Sequence, residues 1–275
     1  MTAPTTTRTR QLWHGLADVP AELGPRVVTL GVFDGVHRGH AQLIGRALDT
    51  GRELGLPTVL VTFDPHPARV VGLPRDTAAL STIERRAELA WDHGVDQVCV
   101  LPFTKTFARL EPAEFVTEVL VERLRAAAVV VGENFTFGHR GAGTVDTLRW
   151  LGDRHGFRVL GVELVRGADG AFSSTYIRGC LRRGDLEGAR RALGRPHHLD
   201  GYLTAGGELV VPEHTALPAP GRYAGRLASR CTEHTVDTVD TVDTVDVEVT
   251  PDGRLVLHLS RPQPGPAGLD LLATR

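Results

Sequence analysis

The stretch Val27-Val28-Thr29-Leu30-Gly31-Val32-Phe33-Asp34-Gly35-Val36-His37-Arg38-Gly39-His40 decides how the first part of this chain folds. It opens with an unbroken apolar, β-branched run, which predicts a buried strand. Glycines break the run, and beyond His40 the apolar residues Leu43, Ala47 and Leu54 return at near-helical spacing. A strand that turns through glycines into a helix makes an anion site, because the first helical N–H groups lack partners and the helix dipole is positive there. His37 and His40 add imidazole donors, and Gly39 between them lets a phosphate approach closely. The alternative is a pair of surface histidines on an ordinary first turn.

Outward from this stretch, apolar runs at 27–30, 58–63, 97–101, 128–131 and 158–162 alternate with helical patterns at 37–54, 82–93, 112–124 and 145–155. Continuous rather than alternating strands, each followed by a helix, predict a parallel sheet covered on both faces. Ser81-Thr82-Ile83-Glu84 has capping-box spacing and marks a helix start. Ligands of such sheets sit at the carboxyl ends of the strands. Three unusual loops fall on that edge: the glycine-histidine loop, Phe63-Asp64-Pro65-His66-Pro67, and Gly132-Glu133-Asn134-Phe135. Asp64 and His66 fit a substrate cleft or a proline-stiffened turn equally well. Asn134 reads as a ligand contact or as a left-handed turn residue.

A further helix is expected at 175–193. Beyond Gly194-Arg195-Pro196 the character changes to short strand patterns at 208–211, 222–227, 245–250 and 254–260, separated by Pro/Gly clusters, so a small all-β unit is expected at 196–275. Within it Thr-Val-Asp repeats four times over 235–246, a period matching neither strand nor helix, which predicts an exposed loop. Residues 1–24 read as a flexible tail, without the apolar core of a signal peptide.

Composition excludes several classes. The 275 residues carry 31 basic and 33 acidic side chains, so nothing global argues for nucleic-acid or membrane binding. No apolar run approaches the roughly 20 residues of a transmembrane helix. Cys99, Cys180 and Cys231 share no close spacing, which argues against a disulfide framework and for a reduced, cytoplasmic setting.

Ser173-Ser174-Thr175-Tyr176-Ile177-Arg178 is a second phosphate candidate: hydroxyls at a helix start, with Arg178 one turn later on the same face. An ordinary cap followed by a solvent-facing arginine is the alternative. The 31–40 loop, Thr62-Phe63-Asp64-Pro65-His66-Pro67, Gly132-Glu133-Asn134-Phe135-Thr136-Phe137-Gly138 and this segment occur in the order found in bacterial bifunctional riboflavin kinase/FMN adenylyltransferases, the prokaryotic FAD synthetases. The resemblance spans about 26–196, with Arg182-Arg183-Gly184-Asp185 and Leu193-Gly194-Arg195-Pro196 similar to that family's connector. It implies an α/β fold: a Rossmann-like nucleotidyltransferase domain with a parallel sheet at 25–195, followed by a truncated, barrel-like β domain. It also implies a reaction, FMN plus ATP with Mg²⁺ giving FAD and pyrophosphate.

By the same resemblance, His37, His40 and Arg178 would be catalytic. Gly31, Phe33, Asp34, Gly39, Asn134, Ser174 and Thr175 would bind nucleotide, and Phe63, Asp64, Pro65, His66 and Phe135 would face the flavin. Mg²⁺ would arrive with the ATP phosphates, with Asn134 as a candidate contact. Because the FMN phosphate is itself the nucleophile, the chemistry requires alignment and charge neutralisation rather than a general base.

The C-terminal part departs from the family pattern. Its Pro-Thr-Ala-Asn kinase motif is absent between Leu199-Asp200-Gly201-Tyr202 and Ala216-Leu217-Pro218-Ala219-Pro220-Gly221, and Glu248 is the lone acid near the kinase carboxylate's place. Riboflavin kinase activity is therefore expected to be missing, and the barrel remnant to stabilise the first domain or mediate self-association. Two further readings stay open: a nucleotidyltransferase for a modified flavin or another phosphorylated metabolite, and a non-catalytic flavin- or nucleotide-binding regulatory protein.

Overall fold

Strands made of consecutive valines and leucines must be covered on both faces, and a computed structural model shows how the chain does this. It describes residues 10–163, 166–167, 170–229 and 242–275. These divide into two compact units. The first runs to Arg75 and resumes over Arg86–Arg166; the second joins Asp76–Arg85 to Gly167–Arg275.

The first unit holds a six-stranded parallel sheet of β1 (Gln11–His14), β2 (Arg26–Leu30), β3 (Thr58–Asp64), β4 (Gln97–Pro102), β5 (Ala126–Gly132) and β6 (Arg158–Val162). Its order is β1-β4-β3-β2-β5-β6. Val28 pairs with Val59 on one side and Val129 on the other, and all three are fully buried. Each such side chain contributes about 1.5–3 kcal/mol by leaving water. The helices are α1 (Arg38–Leu54), the one-turn α2 (Pro67–Val70), α3 (Ile83–Asp92), α4 (Pro112–Phe115) and α5 (Val145–His155). α4 continues as a π-helical segment, Val116–Arg123. Gly55 and Gly156 end α1 and α5 in the left-handed conformation that glycine adopts without strain.

The expected strands and helices of this unit are present, with three differences. Gln11–His14, inside the segment read as a tail, pairs in parallel with β4. Four residues with only two apolar side chains, Leu12 and Trp13, carry too little pattern to reveal a strand, yet Trp13 is 5% exposed and belongs to the core. The cap of α3 is Thr82 rather than Ser81: its Oγ1 accepts from the Arg85 N–H at 3.2 Å. The helical reading of 112–124 holds, but most of it is wound as π-helix.

After β6 come the short strands β7 (Arg166–Gly167) and β8 (Gly170–Ala171); the second unit contains helices α6 (Ser174–Arg182) and α7 (Leu186–Leu193) and an antiparallel sheet. The sheet strands are β9 (His197–Leu203), β10 (Leu209–Val210), β11 (Gly221–Ser229), β12 (Val242–Val249), β13 (Leu255–His258) and β14 (Gly265–Thr274). Their order, β10-β9-β14-β11-β12-β13, leaves β10 and β13 at the ends, where a bridge between Glu208 and Val256 nearly closes a barrel. Ile177, Leu181, Ala189 and Leu193 share one core with Leu199, Val247, Leu269 and Leu271, so α6 and α7 cluster with the barrel.

The single helix expected at 175–193 is broken in two. Gly184 takes φ 72°, and Asp185 caps α7 by accepting from the Gly188 N–H at 2.8 Å. The Thr-Val-Asp repeat lies partly outside the described residues, as does Cys231, but from Val242 it is strand β12 rather than loop. The strand captures the repeat because Val245, Val247 and Val249 alternate inward while Asp246 stays exposed. No helix among the described residues is long and apolar enough to cross a membrane.

Candidate functional site

In the first unit the loops after β3, β2 and β5 leave the carboxyl ends of adjacent strands. Chain order reverses between β2 and β5, the crevice where open α/β sheets bind ligands. The loop after β2 is tightly wound. The Gly31 N–H bonds to the Val61 carbonyl at 3.2 Å, and a Cβ on Gly31 would stand 3.2 Å from the Phe33 ring. Phe33 (φ 50°) and Val36 (φ 36°) are both left-handed, costly for a bulky and a β-branched residue. Phe33 offsets this by burying its whole ring.

The loop delivers His37 to the N-cap of α1, where its Nδ1 accepts the His40 N–H at 3.3 Å. The two imidazoles stack with centroids 3.6 Å apart and an interplanar angle of 19°, and His40 leans on the Phe33 ring at 5.1 Å. His37 is 4% exposed and Gly39 is buried behind it. Two imidazoles and the positive end of a 17-residue helix thus lie together, an arrangement suited to the oxygens of a phosphate.

Asp34, expected to contact nucleotide, is held within the loop by an ion pair. Its carboxylate is 2% exposed and pairs with Arg86, whose Nη2 lies 3.4 Å from Oδ1. Arg86 also donates to Thr62 Oγ1 at 2.8 Å, and the Thr62 hydroxyl donates to the Val32 carbonyl at 2.7 Å. Sequence reasoning missed Arg86 because Glu84-Arg85-Arg86 reads as a solvated charge run. The available signal was helical phase: residue 86 falls on the buried stripe with Leu89 and Ala90.

The remaining rim candidates sort by surroundings. Phe63 is in the core, edge-on to Phe103 at 5.7 Å, within a chain of ring contacts through Phe107, Phe115 and Phe137 to Phe135. Asp64 precedes a cis peptide to Pro65, its side chain is exposed, and its carbonyl accepts from Phe103 at 2.8 Å. His66 caps α2 through Nδ1, 3.1 Å from the Ala68 N–H. Asn134 is exposed and is absent from the positive-φ residues, so it is not a left-handed turn residue. Beside it Glu133 pairs with Arg149 at 3.1 Å.

Within the second unit, Ser173 caps α6, its Oγ accepting from the Tyr176 N–H at 3.2 Å. Ser174 and Thr175 occupy the first turn, half-buried and exposed respectively. Arg178 is not solvent-facing: it is 3% exposed, and its Nε donates to the Ala78 carbonyl at 2.6 Å. Asp76 accepts from the Ala78 N–H at 3.1 Å and pairs with Arg182, so 76–85 is fastened to α6. On the barrel, Glu248 faces outward toward His258 at 3.6 Å. His198 sits between Asp270 (2.7 Å) and Asp200 (3.2 Å). Burial alone would lower the His198 pKa, but the bonds to Asp200 and Asp270 outweigh it and raise the pKa above the ordinary value.

Comparison with known proteins bears on these arrangements. The FAD synthetase family model matches residues 19–176, a span that includes all three rim loops and the start of α6. Two similar relatives are described as "Bifunctional riboflavin kinase/FMN adenylyltransferase". One, from Pseudomonas fluorescens, is 37% identical over 73% of this chain and 64% of the relative. The other, from Escherichia coli (strain K12), is 32% identical over 71% of this chain and 62% of the relative. The chain thus spans a little under two thirds of the length of these relatives. A crystal structure described as a macrolide-efflux protein from Streptococcus pneumoniae superposes with TM-score 0.81 over 97% of this chain and 90% of its own, at 23% identity, and shares the fold. With over half of its length matched, this chain belongs to the FAD synthetase family.

Proposed function

We propose that the chain is an FMN adenylyltransferase, joining FMN to the AMP portion of ATP with release of pyrophosphate, and that it lacks riboflavin kinase activity. The observation that carries the reading is the stacked His37–His40 pair at the N-terminus of α1, inside the segment matched by the family model. In this reaction a phosphate oxygen of FMN forms a bond to the α-phosphorus of ATP as the bond from that phosphorus to the β-phosphate bridge breaks. Charge moves onto the departing pyrophosphate, so donors fixed in advance lower the barrier. His37 supplies one, the α1 N–H groups supply others, and Gly39 keeps the helix mouth open. Ser174, Thr175 and Arg178 are proposed to contact phosphate at the first turn of α6. Phe63 and Phe135 bracket the aromatic chain proposed to meet the flavin.

No cluster of three His, Cys, Asp or Glu side chains among the described residues has metal-binding geometry. Mg²⁺ is proposed to arrive with the triphosphate, waters retained, with the Asn134 amide oxygen as a protein contact. Bound there, the ion would neutralise phosphate charge. A cytoplasmic location, where ATP and FMN are at hand, belongs to the same proposal.

The kinase half of the reading rests on the short connection between β9 and β11, which has no Pro-Thr-Ala-Asn sequence. An acceptor panel tests both halves: ATP and Mg²⁺ with FMN, with riboflavin, and with other phosphorylated metabolites, products resolved by chromatography. FAD from FMN and no FMN from riboflavin is the expected pattern. Phosphorylated riboflavin would refute the second half, and a preferred non-flavin acceptor the first.

A further inference from the structure

A guanidinium buried in a helix–sheet interface is costly unless its charge and N–H groups are answered, so its partners indicate its purpose. Arg86 on α3 is 5% exposed. Its Nη1 donates to Thr62 Oγ1 at 2.8 Å and to the Phe63 carbonyl at 3.4 Å, both on β3, while Nη2 reaches Asp34 Oδ1 at 3.4 Å. The Thr62 hydroxyl donates onward to the Val32 carbonyl at 2.7 Å. Val32 and Asp34 are the two neighbours of Phe33, the residue at φ 50° that turns the loop toward His37. One cation therefore pins both sides of a strained residue, one side directly and the other through a hydroxyl. Asp34 balances its charge, so its effect on a bound anion is geometric rather than coulombic.

We infer that Arg86 is a positioning residue for adenylyl transfer, holding the loop after β2 so that the stacked His37 and His40 rings meet the phosphates in register. This rests on the reading of that loop as the transfer site. Displacing a reacting arrangement by about 1 Å costs about 10²-fold in rate. The loop is exposed to such a displacement because its left-handed residues would relax if released.

The test uses the full-length protein and its Arg86→Gln and Arg86→Lys variants, with two readouts. In FAD formation from FMN and ATP with Mg²⁺, Arg86→Gln should lose about 10²-fold in kcat while KM for ATP stays within about threefold. Arg86→Lys, which keeps the charge but not the fork, should recover about a tenth of the wild-type rate. In proton NMR without substrate, the ring signals of His37 and His40, assigned by their loss in His37→Asn and His40→Asn, should shift in Arg86→Gln. A purely structural role would lower the unfolding midpoint while leaving kcat of the folded protein and both histidine signals unchanged, and that result overturns the inference. If Arg86→Gln does not fold, the same pair of readouts on Arg86→Lys decides. If the wild type forms no FAD, the adenylyltransferase reading fails, and the histidine signals alone decide whether Arg86 sets the loop.

Discussion

Nδ1 of His37 accepts the His40 N–H at 3.3 Å, so the neutral ring carries its proton on Nε2, the atom proposed to donate to phosphate. The side chain thus combines two roles that substitution separates. His37→Ala removes cap and donor together, and should lower stability by about 1 kcal/mol and turnover by about 10²–10³-fold. His37→Asn keeps a cap acceptor without the ring donor, so its unfolding midpoint should stay close to wild type while turnover falls as far. An Asn variant at the wild-type rate would reduce His37 to a cap. Arg178 likewise has a structural part, since the side chain is buried and its Nε donates to the Ala78 carbonyl at 2.6 Å. Arg178→Ala should therefore cost about 1–3 kcal/mol in urea unfolding, besides any loss of turnover, because it removes a charge-assisted hydrogen bond. Unchanged stability would contradict that assignment.

Among the elements, β9 and β14 are tied by a polar pair rather than by apolar side chains alone. His198 and Asp270 are register partners, bonded at 2.7 Å, and Arg226 bonds the other Asp270 oxygen at 2.9 Å. Burial would raise the Asp270 pKa, but its bonds to His198 and Arg226 bring it below the ordinary 3.8, while His198 is raised above 6.5. The His198 contribution is complete below pH 6.5 and disappears as pH rises through its higher folded-state value. That of Asp270 is complete above pH 3.8 and disappears as pH falls through its lower folded-state value. Barrel stability should therefore decline as pH is raised above 6.5, and His198→Gln should flatten that decline. Denaturant unfolding followed across this range by circular dichroism measures it, and an undiminished slope in the variant would exclude His198 as the source.

The same pairing explains what the sequence concealed. Strands such as β3 and β5, buried on both faces, were legible from unbroken β-branched runs. β9 and β14 were not, because His198, Asp200 and Asp270 interrupt their pattern and find their partners only in the folded sheet. In the site, His37 and His40 stood out by spacing beside glycines. Arg86 did not, since its partners Asp34 and Thr62 lie far from it in sequence and only the folded sheet brings them together.

At the scale of the whole molecule, a Rossmann-like parallel sheet carries the histidine loop, and the antiparallel unit forms a nearly closed, barrel-like sheet. The chain is shorter than its curated relatives, and its architecture is shared across nearly its full length by a protein only 23% identical to it. The fold therefore tolerates wide sequence change, and its activity has to be judged at the histidine loop. The most direct judgement is a single-turnover reaction of the full-length protein, in molar excess over FMN, with ATP and Mg²⁺, followed by chromatography and pyrophosphate release. FAD and pyrophosphate forming in equal amounts is the expected result; FMN left unchanged under those conditions would contradict adenylyl transfer at the His37–His40 loop.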